Sequence, residues 1–304
     1  MTARWIRLVG AAAVGAAIAA GAACGTPPSS DAQDHADHAS TSAAGSTVPD
    51  CASSATGDLD VRTRKERIAK GLFYASRRLQ VDGPLEYWET PLGRFWVVAG
   101  NFRTFAEVLG EQAVDVYGDA VQGVHAGDVV LDGGAHFGGF TRTALDRGAK
   151  LVVAIEIAPE NAMCLRRNFA SEIAAGRVIV YEKGVWDKDG TMVLERQNNT
   201  WADHVVDAGP GPTVAVTTID RIVEELGLSD VDFIKLDIEG AERHALAGAA
   251  ATLETHRPRM AIASYHEPDD VGVLPGLALG PQPGYGVCLS GRDLGHGYMT
   301  LFFR

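Results

Sequence analysis

The sequence has little cysteine and no excess of basic residues. Its 304 residues include four cysteines, and 27 Lys and Arg against 39 Asp and Glu give a formal net charge of −12. Cys24, Cys51, Cys164 and Cys288 are too few and too scattered to predict a disulfide framework or a zinc site. A nucleic-acid-binding protein needs a basic face against the phosphates, so the acidic balance argues against that class of partner.

The remaining composition is that of a globular protein. Hydrophobic residues make up 46% and charged residues 22% of the chain, which is enough apolar material for a sizeable core. A chain of 304 residues can hold one large α/β domain or two small ones.

The first 24 residues are typical of a secretory leader. Arg4 and Arg7 precede an apolar run, Leu8–Ala23, which is short and Ala/Gly-rich for a membrane-spanning helix. The following GAAC resembles a bacterial lipobox, although Gly21 stands where an aliphatic residue is usual. We therefore predict attachment to the membrane or cell envelope through a lipidated Cys24. An uncleaved anchor, or a wrongly assigned start on a cytoplasmic protein, stays open.

Residues 25–58 have few large apolar side chains. Gly25–Asp58 contains five Asp residues and no Lys or Arg, and it is rich in Ser, Thr, Ala and Pro. Such a segment cannot bury enough surface to offset the entropy of ordering, so it predicts a disordered tether. His35 and His38, in DHADH, could bind a metal ion, but a solvated acidic linker is the favoured interpretation.

The next segment, 59–127, reads as a helical and hairpin cover. Arg62–Leu79 looks like a basic amphipathic helix, Glu86–Val98 like a hairpin, and Thr104–Tyr117 like a second helix. The basic segment could contact an anionic membrane or an acidic substrate. A solvated helix that packs over an acceptor pocket is the favoured interpretation.

From residue 128 to 304, strand and helix patterns alternate, which predicts an α/β domain. The apolar strand candidates are Val129–Leu131, Leu151–Ile155, Val178–Tyr181, Val231–Leu236 and Met260–Ala263. Helical patterns follow several of them, so we predict a doubly wound parallel sheet covered on both faces. In such a sheet, ligands bind at the carboxyl ends of the strands.

The stretch VVLDGGAHFGGFT ends the first of these strands in an acid and a glycine loop. Glycines let the backbone approach a ligand closely. The loop, Gly133–Gly138, does not match the G-x-G-x-x-G of dinucleotide sites, and Asp132 would repel a pyrophosphate. S-adenosylmethionine (SAM) carries a positive sulfonium and an amino group, which an acid attracts. Glu156 ends the second strand, where a carboxylate can bind ribose hydroxyls.

A second charged motif, KLDIEGAE, follows the apolar residues Val231–Ile234. Lys235 and Asp237 lie two residues apart and so share one face of a strand. A buried strand carries two charges only if they pair with each other or face a ligand. Both interpretations stay open at this point. If Lys235 and Asp237 pair with each other, Glu239 would begin the next helix.

Six motifs in order resemble the FkbM-type methyltransferases, a family of SAM-dependent O-methyltransferases. The motifs read LDGGAHFGGFT, VVAIEIAPENAMCLRRNF, GVWDKDG, TTIDRIV, VDFIKLDIEGAERHALAGA and RPRMAIASYH, and the resemblance covers about Gly93 to His266. The resemblance implies a class I methyltransferase (Rossmann-like) fold, with a mostly parallel seven-stranded sheet and an antiparallel last strand. Its last two strands would lie near Val287–Ser290 and Met299–Phe303.

The resemblance also implies a set of cofactor-binding residues. The glycine loop would line the methionine part of SAM, Glu156 would hold the ribose, the backbone after the third strand would border the adenine, and Asp237 would lie between cofactor and acceptor. The residues so implied are Asp132, Gly133, Gly134, Ala135, His136, Gly138, Glu156, Gly184, Val185 and Asp237. At His136 the family usually has Asn.

His266, which matches the family's histidine beyond the fifth strand, is the first candidate for the base that deprotonates an acceptor hydroxyl, and Asp237 is the second. No metal ligands are assigned, although a divalent ion near Asp237 and Glu239 is conceivable. Cys164 and Cys288 look like core residues.

The leading hypothesis is a methyltransferase acting on a hydroxyl of a glycan, a lipid or a secondary metabolite. The alternatives are an envelope lipoprotein that uses the fold as a catalytically silent binding module, and an NAD-dependent dehydrogenase, which the glycine order disfavours.

Overall fold

The computed structural model describes residues 48–51, 61–196, 203–291 and 299–304. Residues from Val48 to Arg304 form one compact unit. The predicted leader with Cys24, the DHADH histidines and most of the predicted tether lie outside the described residues and stay predictions. No helix among the described residues combines the length and the apolar character needed to cross a bilayer.

Strands and helices alternate through most of the described chain. The strands are β1 (Arg77–Asp82), β2 (Leu85–Thr90), β3 (Gly93–Val98), β4 (Val129–Gly133), β5 (Leu151–Ile155), β6 (Val178–Tyr181), β7 (Gly184–Val185), β8 (Gly190–Glu195), β9 (His204–Val206), β10 (Thr213–Thr217), β11 (Phe233–Leu236), β12 (Arg259–Ala263), β13 (Val287–Ser290) and β14 (Thr300–Phe303). The helices are α1 (Val61–Ala75), α2 (Phe102–Ala113), α3 (Gly139–Asp146), α4 (Pro159–Asn168), α5 (Ala170–Ala174), α6 (Ile219–Leu226), α7 (Glu242–Ala247), α8 (Ala250–His256) and α9 (Asp270–Leu279).

A seven-stranded sheet forms the centre, in the spatial order β13-β14-β12-β11-β4-β5-β6. Strands β12, β11, β4, β5 and β6 pair in parallel, whereas β14 is antiparallel to both β12 and β13. This topology confirms the predicted doubly wound, Rossmann-like sheet with an antiparallel last strand. Each of its seven strands was predicted, with bounds that differ by at most two residues.

Apolar side chains cover both faces of the sheet because successive strand residues point to opposite sides. Leu131 packs on the face covered by α6, α7, α8 and α9. Val130 packs on the other face, with Phe140 of α3 and Leu165 of α4. Both strand side chains are fully buried, so the continuous apolar run of β4 is explained by burial on two sides.

The N-terminal cover packs on the glycine loop through a third apolar cluster. Leu85 and Phe95 of the hairpin and Phe105 of α2 contact Phe137 of the loop and Cys164 of α4. Cys164 is buried there, as predicted. The predicted hairpin and second helix are present.

One element of this cover was predicted wrongly. The basic helix ends at Ala75 rather than at Leu79, and Arg77–Asp82 instead pairs antiparallel with β2. The helical pattern continues past Ala75 in sequence, but pairing with a neighbouring strand outweighs this weak local preference.

A small second sheet, which the sequence did not predict, follows β6. It has the order β7-β10-β8-β9. Its strands are short, and none of them is a continuous apolar run of the kind that marked the strands of the central sheet. The sheet lies at one end of the central cavity, to which it contributes Gly184, Val185 and His204.

A disulfide bond joins Cys51 to Cys288. It corrects the predicted role of Cys288 and the prediction that the whole 25–58 segment is a disordered tether. Cys288 was predicted to be a core thiol, but it is bonded to a residue of the predicted tether. Around this bond, Asp50 pairs with Leu289, and the Cys51 N–H donates to the Leu289 carbonyl at 2.8 Å. Within the 25–58 segment, the described residues Asp50 and Cys51 are therefore attached to the edge strand β13.

Removing this disulfide is expected to destabilise the fold. The bond closes a loop of 237 residues, and a cross-link of this kind lowers the entropy of the unfolded chain. We expect the double variant Cys51→Ser/Cys288→Ser to lose about 2–5 kcal/mol of unfolding free energy in denaturant titrations. A reducing agent should produce the same loss in the unaltered protein and none in the double variant. Equal stability of the two proteins under oxidising conditions would contradict the bond.

Candidate active site

A cavity of about 320 Å³ opens at the carboxyl ends of the central strands. Gly134 follows β4, Glu156 follows β5 and Asp237 follows β11, and all three line it. Because parallel strands end at the same edge, the fold brings together side chains that lie about 100 residues apart. This is the edge of the sheet at which the sequence predicted a ligand.

Most of the predicted cofactor-binding residues line this cavity. Those that do are Gly134, Ala135, His136, Glu156, Gly184, Val185 and Asp237. Asp132, Gly133, Gly138 and His266 are not among the residues that line it. The cavity wall carries six carboxylates against three lysines: Glu107, Glu111, Glu156, Asp203, Asp237 and Glu239, against Lys65, Lys183 and Lys235.

Asp132 lies behind the glycine loop, where it contacts protein groups. It is fully buried, and its Oδ2 accepts a hydrogen bond from the Thr141 hydroxyl at 2.6 Å. Its Oδ1 lies 3.3 Å from the Lys235 Nζ. The lysine of KLDIEGAE therefore pairs with Asp132 rather than with Asp237, which corrects the first interpretation of that motif. A direct contact between Asp132 and a cofactor stays a prediction.

The glycine loop is held by the protein itself. The Lys235 ammonium donates to the carbonyls of Gly133 and Gly134 at 2.9 and 2.8 Å. The N–H groups of Gly134 and Ala135 both donate to the Ile155 carbonyl. These N–H groups, which the sequence suggested would face a ligand, are therefore engaged within the protein.

Gly134 is required by close packing. Its φ is +75°, and a Cβ at this position would lie 1.9 Å from the Asp237 carbonyl oxygen. Gly138 is similarly constrained, because its φ is +99° and a Cβ would lie 2.1 Å from the Phe169 ring. The bare backbone thus allows β4 and β11 to approach each other beneath the cavity.

His136 adopts a left-handed backbone conformation with φ +53°, a region in which Asn and His are enriched. Burial, followed by the positive charge of Lys235, lowers the pKa of His136 to about 4. Its imidazole is therefore neutral at neutral pH. It can offer one donor and one acceptor to a ligand, as the Asn usual at this position does.

Glu156, which follows β5 and lines the cavity, is held in place by backbone N–H groups. Its Oε2 accepts the His136 N–H at 2.7 Å, and its Oε1 accepts the Ala158 N–H at 2.8 Å. Burial raises the pKa of Glu156 to about 6, against the lowering effect of these two hydrogen bonds. The Asn161 side chain also hydrogen-bonds to Glu156, and the lone pairs that remain can accept hydrogen bonds from hydroxyl groups.

Two tyrosines that the sequence analysis missed hold the Asp237 carboxylate. The Tyr117 hydroxyl donates to Oδ2 at 2.5 Å, and the Tyr265 hydroxyl donates to Oδ1 at 3.0 Å. Burial acts to raise the pKa of Asp237, but the positive charges of Lys235 and His266 and the tyrosine hydrogen bonds lower it. Asp237 is therefore ionised and fixed in orientation, and it is a weak base.

His266 is surrounded by carboxylates. Its Nδ1 lies 3.0 Å from Glu242, and its Nε2 lies 3.4 Å from Glu239 and 3.6 Å from Asp237. Burial acts to lower its pKa, but the carboxylates raise it to about 11. A histidine that already carries a proton cannot accept one from an acceptor hydroxyl. These surroundings disfavour the predicted role of His266 as the base.

Glu111 is a better candidate, and the sequence analysis missed it. It lies on α2, lines the cavity and is 3.3 Å from the Lys65 Nζ. Burial raises its pKa to about 7, against the lowering effect of Lys65. A general base is most effective when its pKa is near the operating pH. The sequence showed Glu111 only as a polar position of an amphipathic helix, since packing of α2 over the sheet is what brings it to the cavity.

Residues 132–281 match the family model described as the methyltransferase FkbM domain. The match begins at the acid that follows the apolar part of β4 and ends just after α9, so it includes Glu156, Asp237 and most of the cavity wall. It confirms the resemblance that the six motifs indicated. No curated protein sequence matches the chain.

Solved structures with a similar fold include methyltransferase FkbM from Methylobacillus flagellatus KT. It is 19% identical, with a TM-score of 0.48, over 82% of this chain and 63% of that chain. This chain therefore spans less than two thirds of that protein's length. Precorrin-6y C5,15-methyltransferase from Geobacter metallireducens GS-15 is 13% identical over 63% of this chain and 85% of that one, with a TM-score of 0.39. SMU.1697c from Streptococcus mutans, in complex with SAH, is 13% identical over 59% of this chain and 90% of that one, with a TM-score of 0.37.

Proposed function

We propose that this protein transfers a methyl group from SAM to a hydroxyl of a glycan, a lipid or a secondary metabolite, because residues 132–281 match the methyltransferase FkbM domain. The observation that supports SAM is the charge of the cavity wall, which has six carboxylates and three lysines. A wall of this sign favours a cationic sulfonium compound over a dinucleotide with two phosphates. The cavity also lies where nucleosides bind in sheets of this topology.

In this proposal, the cavity residues divide between the two ends of SAM. Glu156 accepts the ribose hydroxyls with the lone pairs that its two backbone hydrogen bonds leave. The backbone of Gly184 and Val185 borders the adenine. Asp237 and Glu239 lie toward the positive sulfonium and amino groups. The methyl carbon then faces the part of the cavity that α2 covers.

The reaction is an in-line displacement. The acceptor oxygen forms a bond to the methyl carbon while the carbon–sulfur bond breaks and the sulfur keeps the electron pair. The protein supplies alignment, with the reacting atoms about 3–3.5 Å apart, and a base that takes the hydroxyl proton. We assign that proton to the Glu111 carboxylate, because this side chain lines the cavity and its pKa is raised to about 7.

The same proposal places the protein at the cell envelope, tethered to a membrane through Cys24. The disulfide between Cys51 and Cys288 supports this location, because such bonds persist in oxidising compartments. It also favours the second candidate function, an envelope protein that binds a ligand in this cavity without catalysis. SAM is made in the cytosol, so an exported enzyme would have to receive it.

Calorimetric titration of the full chain with SAM and with NAD tests the proposal. SAM is expected to bind and NAD is not, because the carboxylates of the wall repel phosphates. Binding of NAD alone would overturn the methyltransferase proposal, and binding of neither ligand would favour the silent module. A labelled methyl group from SAM, followed into an envelope extract, would then test O-methylation: a methyl ether is expected, and a methyl ester would contradict the hydroxyl acceptor.

A further inference from the structure

A cluster of metal-ligand type adjoins the cavity through Asp237. Asp237, Glu242 and His266 each offer one ligand atom, and these atoms all lie within 4.8 Å of one another. Glu239 adds a further carboxylate, 3.4 Å from the His266 Nε2. Asp237 and Glu239 also line the cavity, whereas Glu242 is almost completely buried.

His266 points to a ligand that would complete this cluster. Its side chain is only 10% exposed, and neither ring nitrogen makes a hydrogen bond to any described residue. The carboxylates of Glu242, Glu239 and Asp237 lie at ion-pair distances from the ring, but not in line with its N–H directions. Buried polar atoms without partners are rare and call for a partner of complementary charge. With carboxylates on both sides of the ring, that partner is a cation.

The ligand atoms are already oriented by a second layer of hydrogen bonds. The Glu242 carboxylate accepts the N–H groups of Ile238 at 2.8 Å and Gly240 at 3.1 Å. Asp237 is held by the hydroxyls of Tyr117 and Tyr265. In metal sites, hydrogen bonds of this kind fix the ligands and are part of the affinity. Each carboxylate oxygen keeps a lone pair for an ion.

We propose that Asp237, Glu242 and His266 bind a divalent transition-metal ion at the wall of the acceptor cavity. One imidazole and two carboxylates suit Zn²⁺ or Mn²⁺ better than Mg²⁺ or Ca²⁺, which prefer oxygen ligands alone. An ion that holds its ligands at about 2.1 Å keeps them about 3–4 Å apart, so only a small closing movement is needed.

The experiment is a titration of chelator-treated full chain with Zn²⁺, Mn²⁺ and Mg²⁺, followed by calorimetry and, for Mn²⁺, by electron paramagnetic resonance. All proteins carry His35→Asn and His38→Asn, which removes the histidines of the DHADH segment as competing ligands. His266→Asn and Glu242→Gln remove one ligand each. His244→Asn is the control, because His244 also has a carboxylate neighbour, Asp187 at 2.7 Å, but lies at the exposed surface.

One ion per chain is expected, bound more tightly as Zn²⁺ than as Mn²⁺ and least tightly as Mg²⁺. Affinity should fall at least about tenfold in His266→Asn and Glu242→Gln and stay unchanged in His244→Asn. Glu242→Gln could also loosen the 238–240 backbone. In the unaltered protein, the His266 ring makes no hydrogen bond to the described residues. His266→Asn therefore tests the metal site without loosening the 238–240 backbone.

Nitrogen-15 NMR of His266 distinguishes the ion from a protonated histidine among carboxylates. With Zn²⁺ bound, the ring is expected to show the shifts of a neutral imidazole with one coordinated nitrogen. An imidazolium spectrum at saturating Zn²⁺, the absence of ion binding, or equal binding by the His266→Asn variant would each overturn the metal site. None of these measurements contains SAM, so they leave the methyltransferase proposal to its own test.

Discussion

Replacing Glu111 with glutamine is expected to lower kcat by about 10²–10⁴-fold, the usual contribution of a general base. The amide keeps the shape and the polarity of the side chain but cannot take the proton of the acceptor hydroxyl. Glu111 lies on α2, over the acceptor part of the cavity, while the proposed SAM contacts lie at the strand ends. Affinity for SAM, measured by calorimetry, should therefore change little.

The pH dependence of kcat provides a second measurement on the same residue. Because Glu111 acts as a base only when ionised, and its pKa is raised to about 7, kcat should rise with pH through about 7 and level off above it. The Glu111→Gln variant should lose this rise. Glu107→Gln is the matched control, since Glu107 lies one helical turn away and lines the same cavity. Equal kcat in the two variants would remove Glu111 as the base.

Replacing Gly134 with alanine is expected to destabilise the protein and to disrupt SAM binding together. The new Cβ would lie 1.9 Å from the Asp237 carbonyl oxygen, so β4 and β11 would have to separate where they meet beneath the cavity. Steric overpacking and the φ of +75° together should cost about 2–4 kcal/mol of unfolding free energy. Denaturant titration and SAM calorimetry are the measurements.

Gly176→Ala separates steric overlap from backbone strain. Gly176 has a φ of +70°, nearly that of Gly134, but a Cβ there would meet nothing within 4 Å. This control should lose only about 1 kcal/mol, the cost of a left-handed alanine, and should bind SAM normally. If both alanine variants lost the same free energy, the contact with Asp237 would not explain the need for glycine at position 134.

The sheet and its order were predictable because burial on two faces leaves a strong signal. The run VVLDGG, the run LVVAIE and the run around KLDIEGAE each combine a short apolar segment with a polar end, and each became a central strand with its end at the cavity. The strands β7–β10 were missed because they are short and none of them is a continuous apolar run. The continuation of α1 to Leu79 was wrong because strand pairing outweighed a helical pattern.

The ionisation of the site residues depends on neighbours that are distant in sequence. His266 was expected to act as a base, but the carboxylates around it raise its pKa to about 11. The Asp132 carboxylate lies against Lys235 and Thr141, and its predicted contact with a cofactor stays a prediction. In both cases, the sequence identified a charged or titratable residue. It did not show which charges pair, because pairing depends on three-dimensional distances.

The amino-acid sequence by itself determined the class of fold and the edge of the sheet at which the cavity opens, since hydrophobic periodicity and glycine placement are local properties of the chain. Only the tertiary structure decided which groups are charged there: it raised the pKa of Glu111 to about 7 and that of His266 to about 11, and it joined Cys51 to Cys288. The physical reason is that burial and electrostatic interactions act through space, over distances of a few ångströms that separation along the chain does not encode.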